Sequence, residues 1–545
     1  MKFNKVNGEH LYYMMSNAAN KLELQSEYVN SLNVFPVPDG DTGTNMSLTI
    51  SYAMKELEKV GEDDITKIAK ALSKGSLMGA RGNSGVILSQ IIRGIGKSVE
   101  GKEKLSTVDL AKALKGGSDT AYKAVIKPVE GTILTVIRET AEYAVKLAKR
   151  ENNIEKFLGK VVREANVSLE NTPNLLKNLK DAGVVDSGGK GLTLILEGFY
   201  LAIVGKAVVP ATAEKAELKN VSLSSADTTS TEDIKFGYCT EFILESDKID
   251  DAGIRDIMLG YGDSLAVVGD EGVIKVHVHT NEPGNVLQEA LKYGQLLTIK
   301  IENMRMQHEN ILEGVAENAE YEEPVEEKEF AFISTSMGEG LASIFKDFGV
   351  DHVIEGGQTM NPSTEDFMKA IDKIHAKNIF ILPNNSNIIM AANQAKELSD
   401  KNIIVIPTKN IPQAVSALVG FNPEATAEEN EANMVEALSY VKSGQVTFAV
   451  RDTVMNGIEI REGNIIGIAE KEMIAAGDEV DEVAKKLVEK LVDEDSAIIT
   501  LFYGEDVTEE QAEELRGELE EKFEDIDVEL YYGGQPLYYY LISVE

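Results

Sequence analysis

A helical N-terminal third followed by two units of mixed α/β structure is the architecture this sequence predicts, and three observations carry it. Up to about residue 205 apolar residues recur at helical spacing, with few β-branched alternating runs. From Lys235 onward, alternating strand-like runs intervene between helical stretches. Two polar or acidic segments, 211–232 and 316–329, divide the chain. At 545 residues the chain is too long for a single core, so about three domains are expected.

Residues 1–205 are read as an all-helical domain. Its clearest helix starts near Thr44, because Met46, Ile50, Ala53 and Leu57 fall on one face. The segment 211–232, rich in Ala, Ser, Thr, Lys and Glu, has little to bury and is read as a linker. Residues 233–315 predict a small α/β middle domain, with strands over 238–244 and 273–280 and helices over 249–261 and 286–293. The charge run 316–329, which contains Pro324, is read as a solvated hinge. Residues 330–545 predict an α/β C-terminal domain. Strands over 330–334, 378–382 and 402–406 alternate with helices such as 341–348, the pattern of parallel βαβ units. From about Ser443 another mixed unit follows, with an acidic helix over 509–523 and an aromatic strand over 538–544. The run Gly338-Glu-Gly340-Leu-Ala-Ser343 lacks the last glycine of a dinucleotide fingerprint and reads as an ordinary strand-to-helix turn.

Composition limits the function classes. A net charge of −37 argues against nucleic acid or an anionic membrane surface as partner, since phosphate backbones demand clustered Lys and Arg. Any polyanion handled here needs cations to neutralise it locally. No stretch has the unbroken apolar length of a transmembrane segment, and the first residues lack the apolar run of a signal peptide. With a single cysteine, no internal disulfide framework exists. A cytoplasmic protein is expected.

The most informative run is Asn33-Val-Phe-Pro-Val-Pro-Asp39-Gly40-Asp41-Thr42-Gly43-Thr44-Asn45-Met46. Two carboxylates one residue apart sit in a glycine-broken turn that opens into an amphipathic helix. A helix N-terminus offers unpaired N–H groups and the positive end of the dipole to anions, and hard carboxylate oxygens suit Mg²⁺ beside nucleotide phosphates. The alternative is that Asp39 and the threonines only cap the helix. Three more loops share this design: Gly79–Gly85, Lys127–Thr132 and Gly183–Gly191, each followed by an apolar helix. If their helix starts converge, they form a basket of backbone donors for a triphosphate; taken singly, each reads equally well as a helix-to-helix connection. None is a Walker loop.

In the middle domain His277 and His279 alternate on one predicted strand, and Cys239 and Glu241 on another. If the two strands are neighbours, these side chains are candidate Zn²⁺ ligands, with His308 as a further one; a buried Cys and two edge histidines is the alternative.

The runs Asn33–Met46, Met78–Gly85, Lys127–Thr132 and Val185–Lys190 resemble the nucleotide-binding subunit of dihydroxyacetone kinases. The domain order along the whole chain is closer still to the ATP-binding subunit of bacterial fatty acid kinase. The resemblance implies a helical barrel holding ATP and Mg²⁺, with Asp39 and Asp41 as metal ligands. It places Thr42, Gly43, Thr44 and Asn45 beside the phosphates and brings Asn83, Ser84 and Gly85 to the nucleotide from the next loop. Thr132 would touch phosphates or ribose, and Asp186, Ser187 and Gly188 would close over the nucleotide. The third aspartate of dihydroxyacetone kinases is replaced here by the displaced Asn33, a neutral candidate ligand.

Arg81 and Lys190 are the candidate cations for charge compensation in phosphoryl transfer; the alternative for each is a snorkelling surface role. The resemblance further implies a fatty acid as acceptor, a separate fatty-acid-binding carrier protein docking on the C-terminal domain, an acyl phosphate feeding phospholipid synthesis, and a homodimer. Two other readings stay open: a kinase of a small polyol such as dihydroxyacetone, and a nucleotide-sensing scaffold without turnover.

Overall fold

A computed structural model describes residues 3–33, 40–60, 64–125, 127–208, 238–246, 248–249, 251–270, 273–303, 327–357, 360–455, 457–470 and 472–545. The linker expected at 211–232 lies outside the described residues, as does the hinge expected at 316–329 up to residue 326; residues 328 and 329 already belong to a strand. Met1–Val209 and Glu326–Glu545 form one compact unit, and Pro210–Val325 forms a second.

The N-terminal region is built of helices α1 (Gly8–Leu24), α2 (Ser26–Asn30), α3 (Thr42–Glu58), α4 (Ile65–Met78), α5 (Gly82–Val99), α6 (Thr107–Ala124), α7 (Ile133–Leu147), α8 (Ile154–Glu170), α9 (Thr172–Leu175), α10 (Lys177–Ala182) and α11 (Ser187–Ile203). Met46, Ile50, Ala53 and Leu57 are all fully buried, as the helical spacing required. They join one continuous cluster with Met14 and Leu22 of α1, Ile68 of α4, Ile137 of α7 and Phe157 of α8. Starts are marked by local chemistry. Asp64 caps α4, Asn153 caps α8, and Ser106 and Asp109 form a reciprocal capping box on α6.

Glycines set the closest helix crossings. A Cβ on Gly198 of α11 would lie 2.5 Å from the Cα of Ala18 on α1, and one on Gly94 of α5 would lie 2.2 Å from the carbonyl of Gly116 on α6. Backbone meets backbone at both points, so neither neighbour can turn aside.

In the second unit, β1 (Tyr238–Glu245), β2 (Asp263–Asp270), β3 (Val273–Thr280) and β4 (Gln295–Asn303) form an antiparallel sheet in the order β2-β3-β1-β4. Helices Asp251–Met258 and Pro283–Ala290 accompany it, and Phe242, Leu244, Ile254, Val276 and Val278 share its core. The first is shorter than the predicted span 249–261, and the second is displaced from 286–293 toward the N-terminus because Pro283 opens it at its first turn.

The C-terminal region begins with β5 (Lys328–Ser336), β6 (His352–Glu355), β7 (Ala376–Leu382) and β8 (Asn402–Val405). These strands are all parallel, in the order β6-β5-β7-β8, as expected for βαβ units. A six-stranded mixed sheet follows. It contains β9 (Lys442–Phe448), β12 (Ile465–Ala469), β13 (Glu472–Gly477), β14 (Ile498–Tyr503), β15 (Asp527–Tyr532) and β16 (Tyr538–Val544), while β10 (Thr453–Met455) and β11 (Ile458–Ile460) pair separately. The glycines of the discounted fingerprint have a packing reason. A Cβ on Gly340 would lie 2.1 Å from the carbonyl of Tyr532, and Gly338 holds a φ of +97° against Gly533 and Gly534.

Helical and C-terminal regions share a core. Ala80 and Val86, at the loop before α5 and in its first turns, are buried in one cluster with Phe367, Ile371, Ile388 and Ala391. An isolated bridge joins Arg81 to Ser363, and the amide of Thr364 donates to the carbonyl of Ala80 at 3.2 Å.

Gly198→Ala tests the α1–α11 crossing. It is expected to cost about 1–3 kcal/mol through overpacking that no rotamer relieves. The readout is the urea midpoint, and an unchanged midpoint would show that the helices part without penalty.

Candidate functional site

Asp41 stands at the N-cap of α3, yet its side chain makes no capping hydrogen bond. Asn30, the last residue of α2, supplies the cap. Its Oδ1 accepts from the amides of Gly43 (2.7 Å) and Thr44 (3.2 Å), and its Nδ2 donates to Thr44 Oγ1 at 3.0 Å. A Cβ on Gly43 would lie 2.1 Å from the carbonyl of Ser26, so only glycine lets α3 start against α2. The helix end is satisfied by an amide from elsewhere, and the buried carboxylate of Asp41 serves another purpose than the cap. Asp39 lies outside the described residues.

The four glycine loops are linked to one another. Asn33 Oδ1 accepts from Thr42 Oγ1 at 3.0 Å and from Ser187 Oγ at 3.1 Å, and the two hydroxyls are 3.3 Å apart; this ties the first loop to the fourth. Gly82 has a φ of +56°, and a Cβ there would lie 2.4 Å from Asn45 Nδ2; one on Gly85 would lie 2.4 Å from Thr49 Oγ1. The second loop thus presses on the first turns of α3. Asp186 caps α11 by accepting from the amide of Gly189 at 2.7 Å, and it also accepts from the backbone of Ile133, which joins the fourth loop to the third. Thr132 caps α7 and donates its own proton to the carbonyl of Val129 at 2.8 Å. Among the four helix starts, only α5, headed by Arg81, has no capping hydrogen bond from a described side chain. The first-turn amides of Gly82, Asn83 and Ser84 lie there.

Arg81 and Lys190, the expected cations, have partners of their own. Arg81 is mostly buried in the seam with the C-terminal region. Its Nη1 donates to the carbonyl of Asn361 at 3.3 Å, its Nη2 is 3.8 Å from Asp366 Oδ2, and the guanidinium lies 5.8 Å from the Tyr52 ring centre. Lys190 Nζ rests 5.7 Å from the centre of the Tyr28 ring. Asn83 donates to Asn387 Oδ1 of the C-terminal region at 3.1 Å.

The C-terminal region contributes residues that sequence reasoning missed. Asn361 Nδ2 donates to Asp41 Oδ2. Arg451 donates to the carbonyl of Ser31 at 3.3 Å and to that of Asn33, and burial lowers its affinity for the proton. The partners are separated by 320 residues in the first case and by 418 in the second, so no local pattern points to them. Asn361 is 1% exposed, yet its Oδ1 has no hydrogen-bond partner among the described residues, a deficit worth about 1–3 kcal/mol in a buried group. Side-chain oxygens are present in two clusters, Asp41 with Asn361 and Asn33 with Thr42 and Ser187, and oxygen is the donor chemistry of a hard divalent cation. Of these, Asn33 has both acceptor directions occupied by hydroxyls, which makes it an organiser of the loop rather than an open ligand.

In the middle domain, β1 and β3 are neighbours, and the register sets Cys239 opposite His279 and Glu241 opposite His277. The strand pairing that a Zn²⁺ site requires is therefore present. The side chains of these four residues, and His308 altogether, lie outside what is described, and among the described residues no group of His, Cys, Asp or Glu is placed to hold a metal. No described helix is long and apolar enough to cross a membrane.

Burial pushes the Asp186 carboxyl up to about 6 from an ordinary value near 3.8, against the lowering effect of its bonds from Gly189 and Ile133. Between these two values the folded chain holds a proton that the unfolded chain has released. The associated stability is complete below about pH 4 and is lost as pH rises through about 6. Asp186→Asn, which keeps the acceptor for Gly189, is expected to gain thermal stability relative to wild type as pH rises from 4.5 to 7.5. Parallel melting curves for the two chains would contradict this.

Three family descriptions match the chain in order: DAK2 domain over residues 36–201, the FakA-like fatty acid kinase middle domain over 235–311, and the FakA-like fatty acid kinase C-terminal domain over 331–545. The chain is 48% identical over 554 residues to Protein YloV of Bacillus subtilis (strain 168), with 100% of both chains covered. Among solved structures, it is similar to a DegV family protein from Thermus thermophilus described for fatty acid binding (TM-score 0.31, 11% identity, 40% of this chain and 99% of that one). It is also similar to the dihydroxyacetone kinase from C. freundii in complex with AMP-PNP and Mg²⁺ (TM-score 0.29, 18% identity, 36% of this chain and 34% of that one). With an end-to-end relative and all three domain matches in sequence, the chain carries kinase-family domains and belongs to the FakA-like family of fatty acid kinase proteins.

Proposed function

We propose that this chain is the ATP-binding subunit of a fatty acid kinase. It transfers the γ-phosphate of ATP to the carboxylate of a fatty acid presented by a separate fatty-acid-binding protein, giving an acyl phosphate for phospholipid synthesis. The observation that carries this reading is the linking of four glycine-rich helix starts, the first of which bears the buried Asp41 carboxylate, in a chain of this family.

Phosphoryl transfer asks the protein chiefly for positioning and for compensation of negative charge. The uncapped first turn of α5 offers backbone donors to phosphate oxygens, and glycine at 82 and 85 lets it stand close to α3. Thr42 and Ser187 donate their hydroxyl protons to Asn33, so what they offer a ligand is oxygen lone pairs. Asp41, with Asp39 two residues before it in sequence, would hold Mg²⁺, which when bound neutralises charge on the phosphates. Thr132 and Asp186 to Gly188 border the nucleotide, and Asp186 brings no full negative charge to it below about pH 6. A carboxylate acceptor is already ionised at neutral pH, so no residue here has to act as general base.

The helical core is not where an acyl chain would sit. Its cavity, lined by Met14, Leu72, Ile92, Leu114 and Phe199 among others, measures about 60 Å³. A cavity of about 150 Å³ holds a single benzene, so this one does not hold an acyl chain. Carrier docking on the C-terminal region and homodimerisation belong to the same reading and rest on family resemblance.

The test is ADP release with ATP and Mg²⁺. Release is expected with fatty acid plus its carrier protein and with neither dihydroxyacetone nor free fatty acid. Release driven by dihydroxyacetone would favour the small-polyol kinase, and nucleotide binding without release under any condition would favour the scaffold. Asp39→Ala and Asp41→Ala are each expected to slow release at least about 100-fold while leaving the helical circular dichroism unchanged. Undiminished release in either variant would remove the assigned site.

A further inference from the structure

We infer that Asn361 of the C-terminal region is a further cation ligand of the helical domain's site: its amide N–H holds the place at Asp41 that the cation takes, and its carbonyl oxygen turns to the cation when one binds. The inference rests on Asp41 being a Mg²⁺ ligand, as proposed above.

Three observations lead to it. First, Asn361 Nδ2 donates to Asp41 Oδ2, and a donor N–H and a metal ion compete for the same carboxylate oxygen. Second, Oδ1 of the same amide is buried without a partner among the described residues, although a buried carbonyl oxygen ordinarily has one. The two ends of an asparagine amide have nearly the same shape, so a half-turn about the Cβ–Cγ bond exchanges donor for acceptor without moving the backbone. With no cation present that turn would set oxygen against carboxylate; with a cation between them it supplies a hard ligand.

Third, the backbone of Asn361 is held by the site itself. Arg81 Nη1 donates to its carbonyl at 3.3 Å, residue 363 bridges to residue 81, and the amide of Thr364 donates to Ala80 at 3.2 Å. The capping box of Ser363 and Asp366 fixes the following turn. Gly82, in its left-handed conformation, leaves room for the Asn45 and Asn361 amides together; a Cβ there would lie 2.4 Å from the first and 3.5 Å from the second. An asparagine serving only to pin two regions together would need the N–H and would leave the orphaned oxygen unexplained.

The experiment follows Mn²⁺ binding to the full chain by electron paramagnetic resonance in the presence of AMP-PNP, together with melting curves with and without Mn²⁺. Asn361→Ala is expected to weaken Mn²⁺ binding about tenfold or more, with unchanged circular dichroism. Asn361→Asp keeps an oxygen donor and is expected to retain Mn²⁺ binding close to wild type. Its melting temperature falls without divalent cation and recovers on adding Mn²⁺, because two carboxylates then face one another uncompensated. Wild-type affinity in Asn361→Ala, or loss in Asn361→Asp as severe as in Asn361→Ala, would overturn the inference. Asp41→Ala in the same assay separates the two levels. If it keeps wild-type affinity, the metal role of Asp41 itself is wrong; if it loses binding while Asn361→Ala does not, only the inference about Asn361 is wrong.

Discussion

A carboxylate buried at a helix start has to be compensated, and the arrangement around Asp41 follows from that requirement. Taking a charged group out of water is costly unless hydrogen-bond donors or opposite charge replace its hydration. Here the usual local solution, an aspartate capping its own helix, is not the one adopted. Asn30 caps α3 from the preceding helix, and Asp41 meets an amide delivered by the C-terminal region. The glycines at 43, 82 and 85 are the steric conditions for this, since each stands where a side chain would collide with a neighbouring helix or with an amide of the site.

Charge explains why such a site needs helix starts and cations rather than clustered basic residues. The chain carries a net charge of −37, and the two basic residues at the loops are already paired, Arg81 with Asp366 and the Asn361 carbonyl and Lys190 over Tyr28. Backbone amides at a helix start provide positive potential without a titratable group, and they do so regardless of the surrounding acidity.

The C-terminal region binds described residues on either side of the first glycine loop's undescribed segment. Arg451 binds the carbonyls of Ser31 and Asn33 ahead of it, Asn361 binds Asp41 behind it, and the shared apolar cluster of Ala80 and Val86 with Phe367 and Ile388 supplies the adhesion. The parallel sheet β6-β5-β7-β8 is thus more than an appendage to the helical domain, because the loop after β6 and the start of the next helix form part of the wall around Asp41.

By itself the sequence determined the order of helical, small α/β and larger α/β regions, the buried face of α3, the parallel strands β5, β7 and β8, and the four glycine loops. All of these are written in periodicities of 3.6 or 2 and in residues with special backbone freedom, which act over a few neighbours. It did not determine that the four loops meet, that Asn30 rather than Asp41 caps α3, that Arg81 lies in a seam, or that Asn361 and Arg451 reach the aspartate turn. Those are pairings between residues far apart in the chain, selected by which surfaces bury apolar area together, and no local pattern encodes them. Only the tertiary structure decided them, because a buried hydrogen bond is satisfied by whichever group the packing brings within reach.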